Sequence, residues 1–289
     1  MPHQLTVIIP CKNERHNIGP CIEAVRELAD EVLVADSGST DGTMEIATAL
    51  GARLIEREYV HSGDFKNWAI PQAAHQWVLI VDADERITPA LAEEIRETLA
   101  DPPQDGYWIN RENYYMGHLV RYSGWSSDCC LRLFHRDRGR YVGNTDHAEV
   151  EISTGRVGRL KHRMQHFGVR SYEQYMPKFL RYTRLQAELW YRQGRRASLF
   201  HLLTRAPLRF FQTYVLRWGF LDGMAGVQVC MLAAFSSFLK QARLWELHHA
   251  EKFGDAGAAS HEFLVPEEAA LRWSKLECGE ETNTRADAA

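Results

Sequence analysis

Trp77-Val78-Leu79-Ile80-Val81-Asp82-Ala83-Asp84-Glu85 is an apolar run followed at once by three acids in four positions. So apolar a run reads as a strand buried on both faces, the kind found in parallel sheets. Charge has no place inside such a sheet, so the acids belong where the chain leaves it. In open α/β sheets that exit edge is where ligands bind. Two carboxylates two residues apart suit a hard divalent cation, which prefers oxygen and often completes its shell with substrate phosphates. The same residues also suit an acidic turn leading into a helix that Thr88 caps, with Pro89 at its first position.

Upstream, strand and helix signals alternate. Residues 5–10 form an apolar strand ending at Pro10, and Asn17 can cap a helix running to about Ala29. A second apolar strand, 31–36, is followed by a helix to Leu50 that Gly51 ends as a C-cap glycine would. Arg53–Glu56 reads as a short strand, 64–75 as a helix despite Pro71, and 88–100 as a helix. Strands alternating with helices of this length imply a doubly wound parallel sheet. Beyond Pro102-Pro103 come strand-like pieces at 106–112, 130–135, 147–152 and 156–161. Helical periodicity then runs from Ser171 to Leu247, broken at Gly194 and before Pro207. The expected organisation is an α/β domain over 1–168, a helical basic segment over 169–249 and a mobile polar tail over 250–289.

Asp36 closes its strand as Asp82 closes the later one, which places both carboxylates in one crevice of a parallel sheet. Asp36 there suits hydrogen bonds from a nucleobase or ribose, or equally a cap on the Ser-Gly turn that follows. Neither a G-x-G-x-x-G nor a Walker pattern occurs, which argues against a dehydrogenase and a P-loop ATPase.

The net charge of −4 hides an asymmetry: residues 161–217 carry 12 Lys+Arg against 2 Asp+Glu, and acidic stretches flank them. Aromatic residues are interleaved with these arginines, from Tyr172 and Phe179 to Phe210 and Phe211. Such helices suit an anionic membrane surface, or form a solvated face on helices packed against the rest of the chain. No nucleic-acid motif accompanies them. The uncharged run Gly223–Leu239 falls short of the roughly 20 apolar residues of a confident membrane span. The six cysteines form no C-x-x-C pair and no zinc spacing, and the N-terminus carries no basic lead-in to a signal-peptide core. Reduced thiols in a cytosolic protein are expected.

Three ordered blocks carry a family resemblance: Val7-Ile8-Ile9-Pro10-x-x-Asn13-Glu14, Val34-Ala35-Asp36-Ser37-Gly38-Ser39-Thr40-Asp41-Gly42-Thr43, and Val81-Asp82-Ala83-Asp84-Glu85. Together they resemble family 2 glycosyltransferases with the GT-A fold, a Rossmann-like, mostly parallel sheet. Gly124-Trp125, Arg132-Leu133-Phe134, His166 and Trp218-Gly219-Phe220-Leu221-Asp222-Gly223 are similar to a bacterial branch that includes lipopolysaccharide-core glycosyltransferases.

The resemblance implies a hexosyl-type transferase, inverting and metal-dependent, that uses a nucleotide-sugar donor and a glycolipid or oligosaccharide acceptor. In it Pro10, Asn13 and Glu14 line the nucleotide pocket and Asp36 reads the base or ribose. Asp82 and Asp84 hold Mg²⁺ or Mn²⁺ against the diphosphate, with Lys66 adding positive charge or serving as a surface lysine. Arg132 contacts the diphosphate or an anionic acceptor, or forms a structural ion pair. His166 approaches the metal or packs, and Trp125 stacks on a sugar or is simply buried. The catalytic base falls in Thr145-Asp146-His147-Ala148-Glu149. The family commonly has Glu directly after the His, whereas this chain has Ala148 there. Glu149 is the first candidate and Asp146 the second, because only a carboxylate or the His itself accepts a proton there. A nucleotide-sugar-binding or scaffold protein without the base, and a nucleotidyltransferase of similar architecture, are the alternatives. The latter usually opens with a glycine-rich loop after the first strand, and Cys11–Asn17 contains none.

Overall fold

The computed structural model describes residues 3–143 and 148–250. Among the described residues two compact units emerge: 3–121 with 125–143 and 148–168, and 122–124 with 169–250. The tail expected over 250–289, apart from its first residue, lies outside the described residues.

The first unit is built on β1 (Leu5–Cys11), which pairs in parallel with β2 (Glu31–Asp36) and with β4 (Trp77–Ile80). β3 (Arg53–Glu56) extends the sheet in parallel beyond β2. β1 is buried along nearly its whole length because both faces are covered. Val7 and Ile9 pack with Ile18 and Ile22 of α1 (Arg15–Val25) and with Leu91 and Ile95 of α4 (Pro89–Ala100). Ile8, one residue out of phase, packs instead with Phe65 and Ala69 of α3 (Ser62–Ala69). This period-2 alternation between two helical layers is the doubly wound arrangement. α2 (Thr43–Ala49) ends before Gly51, whose φ of +82° favours glycine. Thr88 caps α4 by accepting from Leu91 N at 3.2 Å.

Several local expectations change. α1 begins at Arg15, so Asn17 is a buried residue inside it rather than its cap, and the helix stops at Val25. The 64–75 helix gives way at Ile70 to a 3₁₀ turn through Gln72, where Pro71 lacks a backbone donor.

The parallel pattern holds only as far as β4. Among the described residues the sheet order is β3-β2-β1-β4-β8-β6-β11-β5, where β5 is Glu85–Arg86, β6 Gly106–Tyr115, β8 Cys129–His135 and β11 Val157–Val169. β8 runs antiparallel to both β4 and β6. The strands after Pro103 have no crossover helices between them, and short connections allow only antiparallel neighbours. Met116 (φ +47°) and Gly117 (φ +82°) make the two-residue turn joining β6 to β7 (His118–Val120). β9 (Gly139–Val142) and β10 (Glu149–Ile152) form a separate two-stranded ribbon, which puts Tyr141 and Val150 into the α3 layer.

In the second unit α5 (Tyr172–Arg192) and α6 (Leu199–Phe211) both pack on α7 (Gly223–Ala250). Pro207 lies inside α6 and does not break it, contrary to expectation. A π-helical turn, Gln212–Leu216, and a 3₁₀ turn, Gly219–Asp222, connect α6 to α7. These turns hold the inserted segment Tyr122–Gly124: Asp222 Oδ2 accepts from Tyr122 N at 2.9 Å, and Arg217 O accepts from Ser123 N at 3.0 Å. A Cβ at Gly226 would collide with the Gly219 carbonyl, so the chain can turn closely into α7. Gly219–His249 is long and apolar enough to cross a membrane by length and composition, and a third of its most apolar window is buried.

Candidate active site

The register Ile8↔Ile80 and Cys11↔Asp36 brings the ends of β2, β1 and β4 to one edge of the sheet. Asp36 and Asp82 stand on either side of β1, about 10 Å apart at ordinary strand spacing. The acids after β4 do not share one environment. Asp82 and Asp84 are partly exposed, whereas Glu85 is 0% exposed.

A buried acid needs cations, and they are present. Glu85 Oε1 lies 2.7 Å from Arg111 Nη2 and 3.0 Å from Arg132 Nη2, while Glu85 Oε2 accepts from Asp82 N at 2.9 Å. Arg132 also reaches Asp82, whose other oxygen lies 3.0 Å from Lys66 Nζ. Burial pushes the Asp82 carboxyl up, but Arg132, Lys66 and Arg111 together hold it well below the usual carboxylate range. Lys66 is 8% exposed on α3 and lies 5.3 Å from the Tyr141 ring centre. It is a buried ion-pair partner rather than a surface lysine.

Asp84 faces a different neighbour. His166 Nε2, on β11, is 3.7 Å from Asp84 Oδ2, and His166 Nδ1 lies 2.6 Å from Asn113 Oδ1. Asn113 Nδ2 donates to Asp128 Oδ2 (2.9 Å) and Trp125 O (3.3 Å). Its Oδ1 must therefore accept, and His166 Nδ1 must donate. Nε2 is left pointing at a carboxylate with only a lone pair unless something positive lies between them. Against the effect of burial, Asp84 raises the His166 pKa, so a proton can fill that role. A divalent cation fits the same pair: imidazole and carboxylate are both ligands, and the Nδ1–H···O bond is the usual support for a ligating His. Among the described residues no cluster of three or more His, Cys, Asp or Glu side chains is placed to hold a metal. The pair suits an ion that takes its remaining ligands from substrate and water.

At the other end of the edge, Asp36 is engaged by its own turn. Its Oδ2 accepts from Gly38 N (2.9 Å) and Ser39 N (2.8 Å), and its Oδ1 accepts from Ser39 Oγ (2.5 Å). Burial and Asp36 push the Cys11 thiol up, so it stays protonated. Asn13, exposed with φ +54°, donates from its backbone to Ser39 Oγ and accepts from Thr40 N, each at 2.8 Å. Glu14 N donates to Thr43 Oγ1 at 2.9 Å, and Glu14 Oε2 accepts from Asn17 Nδ2 at 2.6 Å. Arg86 Nη2 donates to Asn17 O at 3.1 Å, tying this end of α1 to the acidic turn.

Residues 6–165, more than half of the chain, match the profile of glycosyl transferase family 2. The chain belongs to glycosyl transferase family 2. It is similar to an uncharacterized glycosyltransferase of Rickettsia typhi, 30% identical over 84% of this chain and 87% of the relative. It is also similar to LpsC of Rhizobium meliloti, a lipopolysaccharide core biosynthesis glycosyltransferase, 28% identical over 84% of this chain and 93% of the relative. Among solved structures, glucosyl-3-phosphoglycerate synthase from Mycobacterium tuberculosis in complex with Mn²⁺, UDP and glucosyl-3-phosphoglycerate shares 16% identity. Its TM-score is 0.46, over 60% of this chain and 75% of that one.

In this glycosyltransferase the fold brings Lys66, Asp82 and Arg132 together and gathers Pro10, Asn13, Glu14 and Asp36 at the same sheet edge. Glu149 is exposed on β10, opposite Val142, and forms no part of the Asp82 ion-pair cluster. Asp146 lies outside the described residues. Ala148, where the family commonly has Glu, fits against Gly63 at the start of α3: a Cβ on Gly63 would stand 2.7 Å from the Ala148 Cβ. Sequence reasoning missed Arg111 and Asn113, and gave Glu85 no role of its own. Tyr107, Ile109, Arg111, Asn113 and Tyr115 alternate along β6, so a polar pair interrupting an otherwise apolar face was the available signal.

Proposed function

We propose that this glycosyltransferase moves a hexose from a nucleotide-sugar to a glycolipid or oligosaccharide of the cell envelope, with inversion, in a divalent-cation-dependent reaction. The acceptor class follows the likeness to LpsC and points to the lipopolysaccharide core. The place of action is the cytoplasmic face of the membrane, where such an acceptor is held. The observation that carries the reading is the Asp84–His166 pair, 3.7 Å apart beside the Asp82 cation cluster, a carboxylate and an imidazole that a divalent cation could bridge.

Pro10, Asn13 and Glu14 border the nucleoside. Asp36 fixes the turn beneath it and reads the ribose or base when its Ser39 hydroxyl bond is exchanged. Asp84 and His166 would hold Mg²⁺ or Mn²⁺ together with substrate and water, beside Asp82 in its ion pairs with Lys66 and Arg132; when bound, the cation would neutralise charge growing on the departing diphosphate. Lys66, Arg132 and Arg111 place further positive charge along that edge. Arg111 Nε is buried without a hydrogen-bond partner, a donor available to an anion. In the transfer, the acceptor hydroxyl oxygen bonds to the anomeric carbon. The bond from that carbon to the diphosphate breaks, and its electron pair leaves on the phosphate oxygen. Glu149, or Asp146 as second candidate, takes the hydroxyl proton.

Incubation with UDP-, GDP-, ADP- and CMP-sugars and Mn²⁺ tests the reading. Slow release of free sugar from one donor, dependent on the metal, is the expected result. Binding without turnover would instead point to a protein that lost its base, and pyrophosphate exchange to a nucleotidyltransferase.

A further inference from the structure

α6 buries none of its residues, which is unusual for an amphipathic helix of 13 residues. Leu199, Phe200, Leu203 and Leu208 are each between 64% and 71% exposed. The apolar surface continues through Phe211, Leu216, Trp218 and Leu221 to Met224, itself 75% exposed. Water-facing monomers rarely carry so many large apolar side chains in succession.

Charge narrows what could cover this surface. From Leu189 to Leu221 the chain has six arginines and neither Asp nor Glu. Arg205 and Arg209, one helical turn apart, line a groove of about 620 Å³ whose other walls include Leu208, Phe211 and Leu216. Arg209 Nη1 donates to the neutral Gln212 Oε1 at 3.0 Å. Burial and the nearby Arg217 lower the Arg209 pKa. Arg205 lies 5.7 Å from the Trp190 ring centre. A symmetric pairing of this face with the same face of a second copy would bring arginine against arginine, which like-charge repulsion disfavours. A phospholipid bilayer with anionic headgroups offers phosphates for the arginines and acyl chains for the leucines and phenylalanines.

We infer that α6, with the π and 3₁₀ turns that follow it, lies in the interface of an anionic bilayer, where Arg205 and Arg209 bind lipid phosphate and the apolar side chains around them enter the acyl region. The inference rests on the membrane location proposed above and adds the inserted element and the lipid chemistry.

Sedimentation of the full chain with phosphatidylcholine vesicles, with and without a quarter of phosphatidylglycerol, tests it. The chain should partition onto the anionic vesicles about tenfold more strongly than onto the neutral ones. Arg205→Glu with Arg209→Glu should remove that difference, and Leu203→Asp with Leu208→Asp should lower binding to anionic vesicles about tenfold or more. Circular dichroism and donor hydrolysis, measured in parallel, show that the variants stay folded. A wild-type chain left in the supernatant at low salt overturns the inference. So does a dimer that Leu203→Asp dissociates, in a chain that ignores vesicles. If vesicles are ignored while donor hydrolysis persists, insertion fails alone. Arginine-dependent vesicle binding without donor turnover supports insertion and counts against the proposed reaction.

Discussion

The Glu85 carboxylate, removed from solvent, stands 2.7 Å from the Arg111 guanidinium. Arg132 completes the set and passes the connection to Asp82, so the third acid of the cluster anchors cations that flank the first. Burying charge is costly unless it is paired, and a half-broken pair is worse than none.

Glu85→Gln should therefore destabilise the chain by about 3 kcal/mol, because the buried Arg132 and the partly buried Arg111 lose their shared anion. Urea denaturation checks this. A midpoint like that of the wild type would show that Asp82 alone suffices for both arginines.

Asp105 gives a pH-dependent counterpart far from the acidic edge in sequence. It accepts from Arg156, Thr154 and Arg138, and chiefly its Arg156 bonds hold its pKa down to about 2. A carboxyl depressed on folding adds stability above its unfolded pKa of about 3.9, and that stability is lost as pH falls through the folded value. Both arginines are well exposed, so screening reduces the effect. Asp105→Asn should cost about 1 kcal/mol at neutral pH, and the gap to wild type should close toward pH 2. Thermal denaturation across pH measures this, and a gap that is flat with pH would contradict it.

The parallel core was legible because period-2 burial under two helical layers leaves a strong apolar signature, as Val7, Ile8 and Ile9 illustrate. The antiparallel half was less so. β7 and β9 are short, and the turn at Met116-Gly117 lacks the usual Asn-Gly or Asp-Gly signal. At the site, Asp82 and Asp84 stood out by position. Arg111 did not, since its partner Glu85 is close in space but 26 residues away in sequence. Lys66 was ambiguous for the same reason: helix periodicity does not reveal that α3 turns it toward Asp82.

Glu149→Gln should abolish sugar transfer while leaving nucleotide-sugar affinity within about twofold, since an amide keeps the shape and loses the basicity. Transfer kinetics beside donor titration separate the two. Near-normal turnover would shift the base to Asp146.

Calorimetric titration of the preferred nucleotide-sugar with and without Mn²⁺, on wild type and on Asp84→Ala, bears most directly on the cation at the Asp84–His166 pair. The expected result is wild-type binding that weakens about tenfold or more without the metal, and an Asp84→Ala chain whose weaker binding no longer responds to Mn²⁺. Equal affinity in all four titrations would contradict a metal-held diphosphate at this edge.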